Sequence, residues 1–85
     1  MTFNINDLKK KIIYRSSYRG TKEMDKLLNS FVKKFIDEFN NEDLTNLSKL
    51  LEIDDHNLYK YNQGLETTIK FEENKINNLF KNYRI

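Results

Sequence analysis

Apolar residues in this chain recur at helical spacing, and no stretch alternates as a strand would. The clearest run places Met24, Leu27, Leu28, Phe31, Val32, Phe35, Ile36 and Phe39 at alternating steps of three and one. One face of an α-helix presents such a stripe. Lys26, Lys33, Lys34, Asp37 and Glu38 fall mostly on the opposite, wet side. Glu23 and Asp25 occupy the first turn, where negative charge suits the helix dipole. The stripe is therefore expected to be the centre of the core.

Weaker patterns flank it. A first helix is predicted from Ile5 or Asn6 to Tyr18, capped by Asn4 or Asn6, with Leu8, Ile12 and either Tyr14 or Arg15 facing inward. Asn40 to Asp43 reads as a turn and cap. A third helix follows to about Ile53, burying Leu44, Leu47, Leu50 and Leu51. Asp55 is expected to cap a short fourth helix ending near Asn62, and Gly64 to close it. A last helix over residues 67–82 carries Ile69, Ile76, Leu79, Phe80 and, just beyond its end, Tyr83. No proline interrupts any of these. The expectation is an all-α fold, a small compact antiparallel bundle of about five short helices in one domain over residues 1–85.

Composition narrows the function classes. A chain of 85 residues buries roughly 60% of its unfolded surface, which leaves little room for a deep cleft. The absence of cysteine excludes disulfides, zinc–thiolate sites and thiol catalysis. No apolar run approaches the roughly 20 residues of a membrane span, so no membrane insertion is expected. The N-terminal Met-Thr-Phe-Asn-Ile-Asn-Asp-Leu resembles neither a signal peptide nor a mitochondrial presequence, which predicts a bacterial cytoplasmic protein. The net charge of +2 comes from 15 cations interspersed with 13 acids. That is a mixed surface rather than a nucleic-acid footprint.

Enzymatic constellations are hard to assemble. His56 follows Asp54 and Asp55, but all three fall in one helix start, where capping explains the aspartates, so no metal site is expected. Ser16 and Ser17 lack a base, no glycine-rich phosphate loop exists, and neighbouring Asp54 and Asp55 point apart. The distinctive segment is Arg15-Ser16-Ser17-Tyr18-Arg19-Gly20-Thr21-Lys22-Glu23-Met24-Asp25, with one of only two glycines in the chain. At a helix corner Gly20 could serve the turn alone, with Arg15 pairing Glu23 or Asp25. Equally, a glycine between a cation and a carboxylate lets another backbone approach while Arg19 and Glu23 supply directional hydrogen bonds.

Arg-Gly-x-x-Glu, preceded by Arg-Ser and followed by Asp25, resembles the signature of the succinate dehydrogenase assembly factor 2 family, whose bacterial members are SdhE-like FAD assembly factors. A second element, Leu50-Leu51-Glu52-Ile53-Asp54-Asp55 and then Leu58-Tyr59, follows in order. The resemblance covers residues 9–64. His56 departs from the proline common there in the family, although both residues suit a first helical turn.

The resemblance implies an all-helical chaperone that is not itself an enzyme. Such a factor binds the flavoprotein subunit of succinate dehydrogenase, with fumarate reductase as a further client, and promotes covalent attachment of FAD to a histidine of that subunit. It implies no stably bound cofactor and a monomer when free. In this picture Gly20 permits close approach and Arg19 and Glu23 make polar contacts. Arg15, Ser16 and Asp25 support them, Tyr18 is an aromatic anchor, and Glu52, Asp54 and Asp55 join from the second element. Two other classes stay open. One is a small helical adaptor or antitoxin-like regulator of an unrelated partner. The other is a nucleic-acid binder using Lys9-Lys10-Lys11 and Lys33-Lys34.

Overall fold

The computed structural model describes residues 4–85. Met1–Phe3, which begin the stretch compared with leader sequences, lie outside the described residues. Five helices follow in order: α1 Ile5–Ser17, α2 Lys22–Phe35, α3 Asn41–Leu51, α4 Asp55–Asn62 and α5 Lys75–Asn82. A 3-10 turn, Ile36–Glu38, extends α2. There is no strand among the described residues, and the fold is the expected small all-α bundle.

Each helix begins on a side chain that accepts a hydrogen bond from an otherwise orphaned backbone N–H. Asn4 caps α1, Thr21 caps α2, Asp54 caps α4 and Asn74 caps α5. The start of α3 is a reciprocal capping box: Asn40 Oδ1 accepts from the Asp43 N–H at 2.8 Å, and Asp43 Oδ2 accepts from the Asn40 N–H at 3.3 Å. At the end of α4, Gly64 adopts φ +75°. The Leu65 N–H then bonds Lys60 O and the Gly64 N–H bonds Tyr61 O, a Schellman closure that needs a positive φ.

The α2 stripe lies at the centre. Leu28, Phe31 and Val32 are fully buried, together with Ile12 from α1, Leu44 and Leu47 from α3, Leu58 from α4, and Ile76 and Phe80 from α5. Phe31 is the hub of an aromatic cluster, its ring 5.3 Å from those of Phe80 and Tyr83 in edge-to-face geometry. Helix α1 packs on α2 and α3, and α5 on α3 and α4.

The boundaries differ from expectation in three places. Helix α2 ends at Phe35, yet Phe39 still reaches the core beyond the 3-10 turn. Helix α1 ends at Ser17, and its Tyr14 is exposed. The largest difference is the last helix, which begins at Lys75 instead of Thr67. Residues 65–74 form a strap without helical structure. β-Branched Thr67, Thr68 and Ile69 weaken helix there. Tertiary contacts then take over: Asn57 Oδ1 accepts from the Thr68 N–H and hydroxyl, and Phe71 stacks on Tyr61 at 3.9 Å. Asn74 offers the better N-cap.

Phe31→Ala is expected to cost about 3–5 kcal/mol in urea unfolding, a large share of the stability of so small a domain. Phe35→Ala, at a half-buried position, should cost clearly less. Equal and small losses would show that Phe31 is not the hub of the core.

Candidate interaction surface at two helix corners

Two corners meet at one end of the bundle: α1–α2, through Tyr18 to Thr21, and α3–α4, through Glu52 to Asp54. Arg19 joins them. Its Nε donates to Asp55 Oδ1 at 2.9 Å, Nη1 to Leu51 O at 2.6 Å and Nη2 to Ile53 O at 2.8 Å. Only 12% of its side chain is exposed. The carbonyls lie at the C-terminal end of α3, where a cation meets the negative end of the helix dipole. Asp55 stands in the first turn of α4, at the favourable end for an anion. One rigid guanidinium fork thus satisfies a helix end, a loop carbonyl and a carboxylate together.

The α1–α2 corner is held from its own side as well. The Arg19 backbone N–H donates a hydrogen bond to Asp25 Oδ1, and Thr21 Oγ1 accepts from the Met24 N–H at 3.2 Å. Between these, Gly20 takes φ +114°, a conformation open to glycine and strained for other residues. A Cβ there would stand 3.9 Å from Asp55 Oδ2, an ordinary contact. Backbone angle rather than crowding demands the glycine, and the residue is exposed to solvent.

The ten residues singled out in the sequence divide into two sets. Arg19, Asp25, Asp54, Asp55 and Ser16 are used internally. Asp54, rather than Asp55, caps α4, accepting from the Asn57 N–H at 3.1 Å and from Asn57 Nδ2 at 2.8 Å. Those bonds, the side-chain one first, hold its carboxyl below the usual range. Asp55 is free to pair with Arg19 because the cap sits one residue earlier. Ser16 is buried and donates to Ile13 O at 2.7 Å. The second set faces outward: Tyr18, Gly20, Glu23 and Glu52 are exposed and Arg15 is half-buried. Arg15 makes no ion pair among the described residues, so the alternative in which it pairs with Glu23 or Asp25 does not form.

Of the two residues expected to share the inward place on α1, Arg15 is half-buried and Tyr14 faces outward. Tyr14 is 66% exposed and its ring lies 4.9 Å from that of Tyr18, which is 73% exposed. The four-residue spacing between Tyr14 in α1 and Tyr18 just past its end is the signal that could have found the pair.

A family model described as flavinator of succinate dehydrogenase matches residues 10–84. No curated protein and no solved structure gives a significant match. The family match runs past residue 64, where the motif resemblance stops, and takes in the strap and α5. The chain belongs to this family, which comprises assembly factors for succinate dehydrogenase flavinylation.

Arg19→Ala should destabilise the domain by about 2–4 kcal/mol, because it strands Asp55 and two carbonyls. Arg19→Lys should recover only part of the loss, since an ammonium cannot reach three acceptors in a plane. Urea unfolding of both variants checks this, and wild-type stability in Arg19→Ala would refute the clamp. The lowered carboxyl of Asp54 adds a pH signature. A group with a depressed folded pKa stabilises above its unfolded value, about 3.9, and loses that contribution as pH falls through the folded value. Asp54→Asn should therefore flatten the loss of stability below about pH 4.

Proposed function

We propose that this flavinator-family protein binds the flavoprotein subunit of succinate dehydrogenase through the paired corners and promotes covalent attachment of FAD to a histidine of that subunit. The flavin chemistry belongs to the flavoprotein. The small factor holds a conformation in which histidine and flavin are aligned, and a misplacement of about 1 Å can cost on the order of 100-fold in rate. The flavoprotein of fumarate reductase is a second client. The factor acts as a cytoplasmic bacterial monomer, is not an enzyme itself and keeps no FAD of its own. No helix among the described residues is long and apolar enough to cross a membrane.

The observation that carries this reading is the Arg19 clamp. It brings the two family elements, far apart in the chain, into one surface and leaves Tyr18, Gly20, Glu23 and Glu52 free on its outside. Arg19, Asp25, Asp54 and Asp55 act from behind as positioning residues. Gly20 keeps the corner low enough for a partner backbone to approach, Glu23 and Glu52 supply acceptors, and Tyr18 is a rigid anchor of the kind that dominates interface energetics.

Gly20→Arg and Glu23→Ala are expected to stay folded and to abolish or severely reduce covalent FAD on a co-expressed flavoprotein subunit, read as in-gel flavin fluorescence after denaturation. Strain at Gly20 costs about 1–3 kcal/mol, and loss of the Glu23 dipole interaction about 0.3–1 kcal/mol. Gly20→Ala carries the same backbone strain with little bulk, so it should flavinylate better than Gly20→Arg. Normal flavinylation by folded Gly20→Arg and Glu23→Ala would remove the corner as the working surface. Flavinylation that falls only in step with melting temperature would assign these residues to stability alone.

A further inference from the structure

Beside the corner, the first turn of α2, the end of α4 and the C-terminal tail enclose a half-open groove of about 290 Å³. Buried Met24 and Leu27 line it with Tyr59 and Tyr83, Asn62 and Gln63 add polar groups, and the exposed Glu23 and Arg84 bring charge to its lining. Its volume is at the small end for ligand pockets, which run from roughly 300 to 1,000 Å³. It has room for one large side chain and not for a dinucleotide.

These two charges are not matched to each other. Both are exposed, and neither forms an ion pair among the described residues. Arg84 points its Nη1 at the carbonyls of Lys81, at 3.2 Å, and Tyr83, at 2.8 Å. The groove therefore presents an unpaired carboxylate beside Met24 and Leu27, and that carboxylate belongs to the corner motif itself. The geometry points to one occupant: an apolar side chain of the flavoprotein subunit, carried on a segment whose nearby Lys or Arg pairs with Glu23. This rests on the corner being the flavoprotein-binding surface. Glu23 then works in two directions, closing the corner contact on one side and orienting the inserted segment on the other. The apolar insertion supplies anchoring and the charge pair supplies orientation and capture rate.

The test places a photo-crosslinking benzoylphenylalanine at the exposed Tyr59, and separately at Tyr18, in the full chain. Each is irradiated with purified flavoprotein subunit and the captured peptide is mapped. The Tyr59 probe should capture a flavoprotein segment containing a large apolar residue with Lys or Arg close to it in sequence. Gln63→Trp, which fills the groove from an exposed position, should weaken binding about tenfold with an unchanged melting temperature. Capture at Tyr18 with none at Tyr59 overturns the groove while leaving the corner reading intact. Capture of a second copy of this chain, a mapped segment without a basic residue, or wild-type affinity in Gln63→Trp also overturns it. If neither probe captures the subunit and the unaltered chain does not bind it, the corner reading fails and the groove with it.

Discussion

The guanidinium of Arg19 is the interaction on which the rest of this end of the molecule depends. Two corners separated by more than thirty residues in sequence are fixed to each other by one side chain, with donors to a carboxylate and two carbonyls. A lysine could neutralise Asp55 but could not span all three acceptors in one plane. Placed between the C-terminal end of one helix and the N-terminal turn of the next, the cation and its carboxylate partner each sit where the local backbone field favours them. A motif that suggests an arginine reaching outward is, in this protein, an arginine reaching inward. What it leaves outside is a shaped surface.

That arrangement follows from size. A small bundle commits its large residues to a single buried cluster, with Phe31 against Phe80 and Tyr83. Polar bonds fix its helix ends: side-chain caps at every α-helix start, the Asp25 carboxylate under the α1–α2 turn, and the Asn57 amide tying α4 to the strap. Such bonds are directional, so they fix geometry more sharply than apolar contact of equal strength. Corners defined in that way suit the proposed task of holding another protein in register.

Much of this was legible in the sequence because it is local. The α2 stripe, the caps at Asn4 and in the Asn40–Asp43 turn, and the closing Gly64 each depend on neighbours a few positions away. The failures are non-local. Thr67 to Asn74 lacks a strong breaker; its β-branched residues weaken helix, and the stacking of Phe71 on Tyr61 with the bonds that Thr68 donates to Asn57 pulls it out of helix. The exchange of roles between Asp54 and Asp55 depends on where Arg19 arrives from the other corner. Tyr14 and Arg15 competed for one inward place because a helical face was counted without knowing which neighbours would cover it. The residues of the candidate surface could be named from the motif, but which of them face outward could not, since that is decided by partners distant in the chain.

The strap has a dynamic consequence. Helix α5 contributes Ile76 and Phe80 to the core, and its end is held by the Asn62 amide donating to the carbonyls of Phe80 and Tyr83. It joins α4 through a segment with no helical ladder of its own. Backbone amides along 65–74 thus lack the cooperative protection of a helix, and they belong to the part of the molecule that opens at the lowest free energy. Amide hydrogen exchange would divide the chain there: a fast band between two slow ones, with α5 protected only as long as the aromatic cluster stays closed around it.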